Sequence, residues 1–285
     1  MVGGALRIPL LAAAAAVLLA GCGGGAREWR FAPDEGVRLR DAVSAEAIVR
    51  PDGTILLYVN RPRGIEVYRS RDGLRFARAS GRLPLGGHPT VVERSRGGLR
   101  MYYASESALP YRPSALYSAY SADGLVWWLE DGIRLSDVGF GVMEVVPLPV
   151  GGFRLYFNDN RPRTRSRVVS ASSLRGLRFV GEPGARLPPP YVDPAVVRLG
   201  PDRWLMVVST IDGDRPQKLH LAESSDGLRW SVEPEPLVDE PGWSSFDPTL
   251  LPLGDGRFRM YYTRAETPPA PGRRFELRSG VLSHG

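Results

Sequence analysis

Two aspartates stand directly before prolines at the start of short apolar segments, where residue type and position could support chemistry. Asp193-Pro194 leads into one such segment and Asp247-Pro248 into another, while His88-Pro89 opens a third. Carboxylates that lie close together raise one another's pKa, so that one stays protonated beside an ionised neighbour. Such a pair can act as general acid and general base, and this chemistry is what the spacing predicts if the segments converge.

Two looser copies of the same segment begin with glutamate, at Glu144-Val145-Val146-Pro147 and Glu46-Ala47-Ile48-Val49. When the five copies are aligned, His88 and the two aspartates are equivalent, Glu144 falls two residues later and Glu46 is displaced by about one. The predicted catalytic residues are Asp193, Asp247, Glu144 and Glu46. The alternative for an aspartate before proline is structural, because its side chain can cap backbone N–H groups of the loop that enters the strand.

Each segment is the first strand of a hairpin. In the copy at 246–263, Phe258, Met260 and Tyr262 alternate with Arg257, Arg259 and Tyr261 after a Gly-Asp-Gly turn, which is the period-2 pattern of a β-strand. A third and a fourth strand follow in most copies, joined by turns such as Ser224-Ser225-Asp226-Gly227. Five repeats of four antiparallel strands predict an all-β fold, a five-bladed β-propeller.

The last repeat lacks a fourth strand at the end of the chain. The segment 29–39 closely resembles 177–187, which is the fourth strand and exit loop of the third repeat. We therefore predict that the N-terminal strand completes the last blade and closes the ring, which removes an open sheet edge. On this basis residues 29–285 are predicted to form one propeller domain.

Unequal loops, such as 105–114, 158–166, 210–218 and 264–274, lie on the same face as the starts of the first strands, whereas the hairpin turns at the opposite end are short and stereotyped. Unequal loops on a rigid scaffold are the usual place for binding. Aromatic rings there could stack on the apolar faces of sugars, with packing between blades as the alternative. The predicted substrate-binding residues are His88, Trp243, Tyr191, Tyr111, Asn158 and Arg161.

Composition limits the other function classes. The net charge of the 285 residues is +6, carried by arginines scattered along the chain with Lys218 as the one lysine, so a nucleic-acid partner is not expected. The three histidines do not form a zinc-type motif. No cofactor is predicted, although His88 near the axis could contact a channel ion.

The N-terminal segment differs in kind from the rest. An apolar run from Leu10 to Ala20 is followed by Gly21 and Cys22, the chain's one cysteine. This run is short for a membrane span and is typical of a signal peptide. Leu19-Ala20-Gly21-Cys22 resembles the bacterial lipobox, which implies cleavage after residue 21 and lipidation of Cys22. We expect a signal peptide at 1–21, a tether at 22–28 and a location in the bacterial envelope, periplasm or cell surface; an ordinary secretory signal is the alternative.

The five repeats and the Asp-Pro strand starts resemble the five-bladed propellers of the arabinanase, xylosidase and levansucrase type, including family 43 glycoside hydrolases. The resemblance implies three funnel carboxylates acting as general base, pKa modulator and general acid in hydrolysis with inversion. Asp193, Asp247 and Glu144 match, with Glu46 in reserve, while Ala45-Glu46 stands where the family has an aspartate in the first blade. The Ser-x-Asp-Gly turns also resemble the Asp-boxes of sialidases, which are fold elements away from the site.

Together these features predict a monomeric, membrane-anchored propeller that acts on an oligo- or polysaccharide by carboxylate acid/base catalysis. The alternative is a carbohydrate-binding or scaffold propeller without catalysis, since a fold is often shared without its function.

Overall fold

The computed structural model describes residues 29–95, 97–105, 114–139, 141–160, 166–267 and 274–285. The leader and tether at 1–28, with Cys22, lie outside the described residues, as do Tyr111 and Arg161. Within the described ranges there is no helix that could span a membrane.

Strands make up the fold. In chain order they are β1 (Trp29–Pro33), β2 (Leu39–Arg40), β3 (Val43–Val49), β4 (Ile55–Arg61), β5 (Gly64–Ser70), β6 (Ala77–Arg78), β7 (Gly87–Glu93), β8 (Leu99–Ala104), β9 (Ser114–Ser121), β10 (Trp128–Val138), β11 (Glu144–Pro147), β12 (Phe153–Asp159), β13 (Arg167–Ser173), β14 (Val180–Gly181), β15 (Tyr191–Gly200), β16 (Arg203–Thr210), β17 (Leu219–Ser224), β18 (Ser231–Val232), β19 (Trp243–Gly254), β20 (Arg257–Glu266) and β21 (Phe275–His284).

These strands form five antiparallel sheets, the blades of a propeller. Blade 1 is β3-β4-β5-β6, blade 2 is β7-β8-β9-β10, blade 3 is β11-β12-β13-β14 and blade 4 is β15-β16-β17-β18. Blade 5 is β19-β20-β21-β1, with β2 also paired to β21. The predicted fold class is confirmed.

The N-terminal strand closes the ring, as the sequence predicts. Trp29 pairs with His284 and Pro33 with Gly280, so β1 is the outer strand of blade 5. Between the end of β1 at Pro33 and the start of β21 at Phe275 lie 241 residues of sequence. Pairing to the chain's own N-terminus gives β21 a partner on its outer side, as the other third strands have.

The hydrophobic core lies between the blades. Each of five apolar clusters is formed by side chains from two neighbouring blades: blades 1 and 2, 2 and 3, 3 and 4, 4 and 5, and 5 and 1. Alternate residues of the inner strands therefore pack against the next sheet on each side, as sheet-on-sheet packing requires. This packing fixes the positions of the five first strands around the axis.

Candidate active site

A β-bulge occurs near the start of the first strand in four blades. The pairing register shifts between Val192 and Ala195 and between Phe246 and Thr249, and equivalent shifts occur in blades 1 and 2. Each bulge contains a residue in the left-handed region, namely Ser44 (φ 49°), His88 (φ 53°), Asp193 (φ 55°) and Asp247 (φ 51°). We call these four residues the upper ring. Non-glycine residues rarely adopt this conformation, and bulges of this kind re-aim side chains next to functional sites.

The proline after three of these residues suits the bulge. Pro89, Pro194 and Pro248 lack an N–H group, and a bulge leaves one residue outside the regular ladder. The Asp-Pro pattern therefore marks a backbone geometry as well as a carboxylate.

A second level of residues lies two positions further along each first strand. Glu46 pairs with Tyr58, Thr90 with Tyr102, Glu144 with Tyr156, Ala195 with Val207 and Thr249 with Tyr261. We call the first-named five the lower ring. Glu46 is thus two residues past its bulge residue, Ser44, rather than about one, and it shares its level with Glu144.

Asp247 is buried and holds its hydrogen bonds on one oxygen. Its Oδ2 accepts bonds from the Ser44 backbone N–H at 3.1 Å and from the Ser44 hydroxyl at 2.8 Å. Its Oδ1 takes part in no hydrogen bond between described residues, and the residue keeps 7% of its surface exposed. Burial, reinforced by the charge of Asp193, raises the pKa of Asp247 to about 8.

Asp193 lies in the neighbouring blade and has hydrogen bonds to both oxygens. Its Oδ1 accepts bonds from the Asn158 side chain at 2.8 Å and from the Val142 N–H at 3.2 Å, and its Oδ2 accepts the Ser209 hydroxyl at 2.8 Å. Burial raises the pKa of Asp193, while these three donors favour its ionised form. When the two carboxyls share one proton, the proton therefore resides on Asp247.

The two glutamates of the lower ring form a second coupled pair. Glu46 accepts the Val91 N–H at 2.9 Å and the Thr249 hydroxyl at 3.0 Å, which links blades 5, 1 and 2. Glu144 accepts the Thr90 hydroxyl at 3.1 Å. Burial raises the pKa of Glu46 to about 7, and burial together with the Glu46 charge raises the pKa of Glu144 well above its usual range.

His88 is the upper-ring residue of blade 2. Its backbone N–H donates to Asn60 Oδ1 at 3.0 Å, in the same way that the Asp193 N–H donates to Asn158 Oδ1 at 2.9 Å. Burial lowers the pKa of His88 to about 4, so its imidazole is neutral at pH 7. A neutral ring suits hydrogen bonding to a substrate hydroxyl as well as a structural role.

The predicted aromatic residues occupy the loop side of the two aspartate strands. Trp243 begins β19, and the guanidinium of Arg264 stacks 4.0 Å from its ring centroid. Tyr191 begins β15 and meets His220 edge-on at 5.8 Å. Both rings are half-buried. Tyr111 and Arg161 remain predictions, because they lie outside the described residues.

Sequence reasoning missed the residues that orient the carboxylates. Four hydroxyl groups donate a hydrogen bond to a site carboxylate, namely those of Ser44, Ser209, Thr90 and Thr249. A small hydroxyl residue carries little signal by itself. A signal did exist for Asn60, because it opens the same Asn-(…)-Arg-Pro-Arg loop type as Asn158.

Metal binding has no support in the described ranges, where no three His, Cys, Asp or Glu side chains form a group that could hold an ion. The channel ion suggested by His88 stays a prediction.

Comparison with known proteins shows which solved structures share this fold. No protein-family model matches the sequence, and no curated protein matches it. Solved structures do match: a thermostable family-43 glycoside hydrolase superposes with a TM-score of 0.70 at 14% identity, covering 88% of this chain and 95% of that one. The fold is that of the family-43 glycoside hydrolases.

Two further solved structures with this fold are named for two different activities. The α-L-arabinofuranosidase from Lactobacillus brevis has a TM-score of 0.67 at 14% identity, over 85% of this chain and 91% of its own. An N-acetylgalactosamine deacetylase from F. plautii has a TM-score of 0.64 at 13% identity, over 89% of this chain and 95% of its own. The same architecture thus occurs in proteins named for different reactions on sugars, and activity must be argued from the site.

Proposed function

We propose that the chain is a glycan-active propeller that hydrolyses a glycosidic bond, with Asp247 as general acid and Asp193 as general base. The observation that carries this proposal is the contrast between two coupled carboxyls on neighbouring blades. Asp247 has hydrogen bonds from one residue to one oxygen, and its pKa is raised to about 8. Asp193 has three donors from Asn158, Val142 and Ser209. Environments that keep one carboxyl protonated and its partner ionised assign the acid and base roles.

The reaction balances with these two groups. Water attacks the anomeric carbon and passes a proton to Asp193, while Asp247 gives its proton to the leaving oxygen as the glycosidic bond breaks. The attack from the opposite face inverts the anomeric configuration. Proton exchange with solvent restores both carboxyls, and Glu144 is proposed as the third carboxylate that tunes their pKa.

The proposed substrate is an oligo- or polysaccharide with a neutral or uronic sugar linkage. The half-buried rings of Trp243 and Tyr191 begin the strands that carry the two aspartates, where stacking on a sugar ring would position the bond. Arg264 holds the Trp243 ring in place through its own ion pairs with Glu240 and Glu276, at 3.0 and 2.7 Å.

A panel of neutral and uronic oligosaccharides tests the proposal. Asp247→Asn and Asp193→Asn should each lower turnover by about 10²–10⁴-fold, because each removes a proton-transfer group. Asp202→Asn, an exposed aspartate in a hairpin turn, is the matched control and should leave turnover unchanged. Wild-type turnover should also fall as pH rises through about 8, where Asp247 loses its proton. Equal turnover in wild type and both site variants would refute the assignment.

One observation favours the alternative, a carbohydrate-binding propeller without catalysis. Blade 1 carries Ser44 in the upper ring, where the resemblance leads one to expect an aspartate, and that serine bonds to Asp247. A wild-type protein that binds members of the panel and turns over none of them would establish this alternative.

We also propose that the propeller is held at the bacterial envelope by a lipid on Cys22, as the lipobox-like sequence implies, in the periplasm or at the cell surface. Growth with a labelled fatty acid should label the wild-type chain and leave Cys22→Ser unlabelled. Label on neither protein would refute the anchor.

A further inference from the structure

Two sets of turns define one face of the ring, which we call the turn face. One set joins first to second strands, and the other joins third to fourth strands with the Ser-x-x-Gly sequence. In blade 1 the turn aspartate, Asp72, accepts the N–H groups of Leu74 and Arg75 at 2.8 and 2.9 Å. Asp123 and Asp226 make the same pair of bonds in blades 2 and 4. These bonds are what the turn aspartate contributes to the fold.

Blade 3 departs from this pattern. Arg175 stands where the other three turns have aspartate, so the two carboxylate bonds are not made there. The residue before it, Leu174, is 79% exposed, and Leu177 is 42% exposed. Leucine also follows the glycine in the other three turns, so the addition in blade 3 is the exposed Leu174. A turn that lacks the two aspartate bonds and carries an additional exposed leucine has lost local stability, which indicates that something other than folding selects these residues.

The neighbouring hairpin turn of blade 3 extends the apolar surface. Val150 is 94% exposed, and the turns 148–152 and 173–178 contain no acidic residue. They are adjacent, since a Cβ on Gly152 would lie 3.2 Å from the Leu174 Cα. We call Val150, Leu174, Arg175, Leu177 and Arg178 the blade-3 patch. Both of its arginines are exposed.

The first strand in the sequence, β1, starts on this same face, at Trp29. Third strands run toward the turn face, and Trp29 pairs with His284 near the end of the third strand of blade 5. The Trp29 indole donates to Glu223 Oε1 at 2.9 Å, directly before the turn of blade 4. The upper ring lies at the opposite ends of the first strands. Seven residue steps from Cys22 to Trp29 span at most about 25 Å.

We propose that the turn face, led by the blade-3 patch, rests on the lipid bilayer that holds the chain's own anchor. The inference builds on the proposed lipid at Cys22. Exposed leucine and valine side chains enter the boundary between headgroups and acyl chains, and the arginines bind anionic headgroups. The short tether brings this face near the bilayer. The consequence is that the funnel with Asp193 and Asp247 opens away from the membrane, toward soluble or wall-borne glycan.

Fluorescence quenching tests this orientation with the full-length lipidated protein in phosphatidylethanolamine–phosphatidylglycerol vesicles. The lipid blocks the Cys22 thiol, so one engineered cysteine at a time can carry an environment-sensitive dye. With brominated lipid, the dye at Leu174→Cys should lose fluorescence, while the dye at Ile211→Cys on the loop side should not. Equal loss at both positions, or loss at neither, would overturn the proposal.

A second variant separates membrane contact from folding. Arg175→Asp restores the turn aspartate, so it should raise the midpoint of thermal unfolding and reduce the quenching of a dye at Val150→Cys. A folded Arg175→Asp protein with unchanged quenching would count against the patch. Mass spectrometry of the same sample reports the lipid: a chain without diacylglycerol at Cys22 would overturn the anchor and this inference together, while the oligosaccharide panel stays an independent test of hydrolysis.

Discussion

The raised pKa of Asp247 has a consequence for stability as well as for proton transfer. The folded protein holds this proton up to about pH 8, whereas an aspartate in the unfolded chain releases it near pH 3.9. Through Asp247 the folded state therefore binds more protons across this window, so this residue's contribution to the free energy of unfolding falls as pH rises from about 4 to about 8. Glu46, with its pKa raised to about 7, contributes with the same sign. His88, with its pKa lowered to about 4, contributes with the opposite sign.

Asp247→Asn should remove the Asp247 contribution to this slope, because an amide does not titrate, while the contribution of Glu46 remains. We expect the wild-type free energy of unfolding to fall by on the order of 3–5 kcal/mol over the window, and the variant's to fall clearly less. Urea denaturation at a series of pH values measures both. Asp202→Asn serves as the control and should keep the wild-type slope. An unchanged slope in Asp247→Asn would show that the buried proton resides elsewhere.

The sequence could predict the site carboxylates but not their surroundings. Asp193 and Asp247 are visible because a proline follows each one at the start of an apolar strand. The level of Glu46 was misplaced because the bulge between Val43 and Glu46 adds a residue that strand alternation does not reveal. The bond between Ser44 and Asp247 joins residues 203 positions apart, so no local pattern encodes it.

At the scale of elements, a repeated tyrosine connects each turn to the blade before it. Tyr58 donates its hydroxyl to the Gly124 carbonyl, Tyr102 to Gly176, Tyr156 to Gly227 and Tyr261 to Gly73, at 2.8–2.9 Å. The equivalent residue of blade 4 is Val207, and in blade 5 the third and fourth strands, β21 and β1, are not joined by a turn. A buried tyrosine hydroxyl needs an acceptor, so valine occupies the one place where the turn carbonyl is missing.

Tyr102→Phe should destabilise the protein by about 1–3 kcal/mol, because it leaves the Gly176 carbonyl without its buried donor. Tyr120→Phe is the control: Tyr120 is half-buried, and its hydroxyl makes no hydrogen bond with other described residues, so the change should be within about 0.5 kcal/mol. Thermal and urea unfolding measure both variants. Equal stability of Tyr102→Phe and wild type would show that the bond between blades contributes nothing.

The sequence pattern predicts the strands and turns but does not predict these tyrosine hydrogen bonds between blades. Strand alternation and the Ser-x-Asp-Gly turns predicted the hairpins, and the tyrosines read as ordinary core residues of the second strands. Their role depends on the neighbouring blade, which only the closed ring brings into contact. The similarity of 29–39 to 177–187 did predict that closure, because it compares whole strands with their exit loops and does not rely on single residues.

At the scale of the whole molecule, stability depends on the pairing of β1 with β21 in blade 5. Pairing of Trp29 with His284 brings the start of β1 beside the end of β21, in the arrangement that a turn creates in the other blades. Deletion of residues 28–39 should therefore abolish cooperative unfolding, because it exposes the edge of β21 and removes Trp29 and Phe31 from the apolar cluster between blades 4 and 5.

A circular permutant distinguishes the loss of a strand from the loss of a favourable chain order. In it, a short Asp-Gly turn joins His284 to Trp29, and new ends are placed at Asp41, an exposed residue between β2 and β3. All four strands of blade 5 are then continuous, so the permutant should unfold cooperatively with a midpoint at or above that of wild type, since the turn lowers the entropy cost of closing the ring. Circular dichroism during heating measures the permutant and the deletion variant. A permutant that fails to fold, or a deletion that unfolds as cooperatively as wild type, would contradict closure by the N-terminal strand.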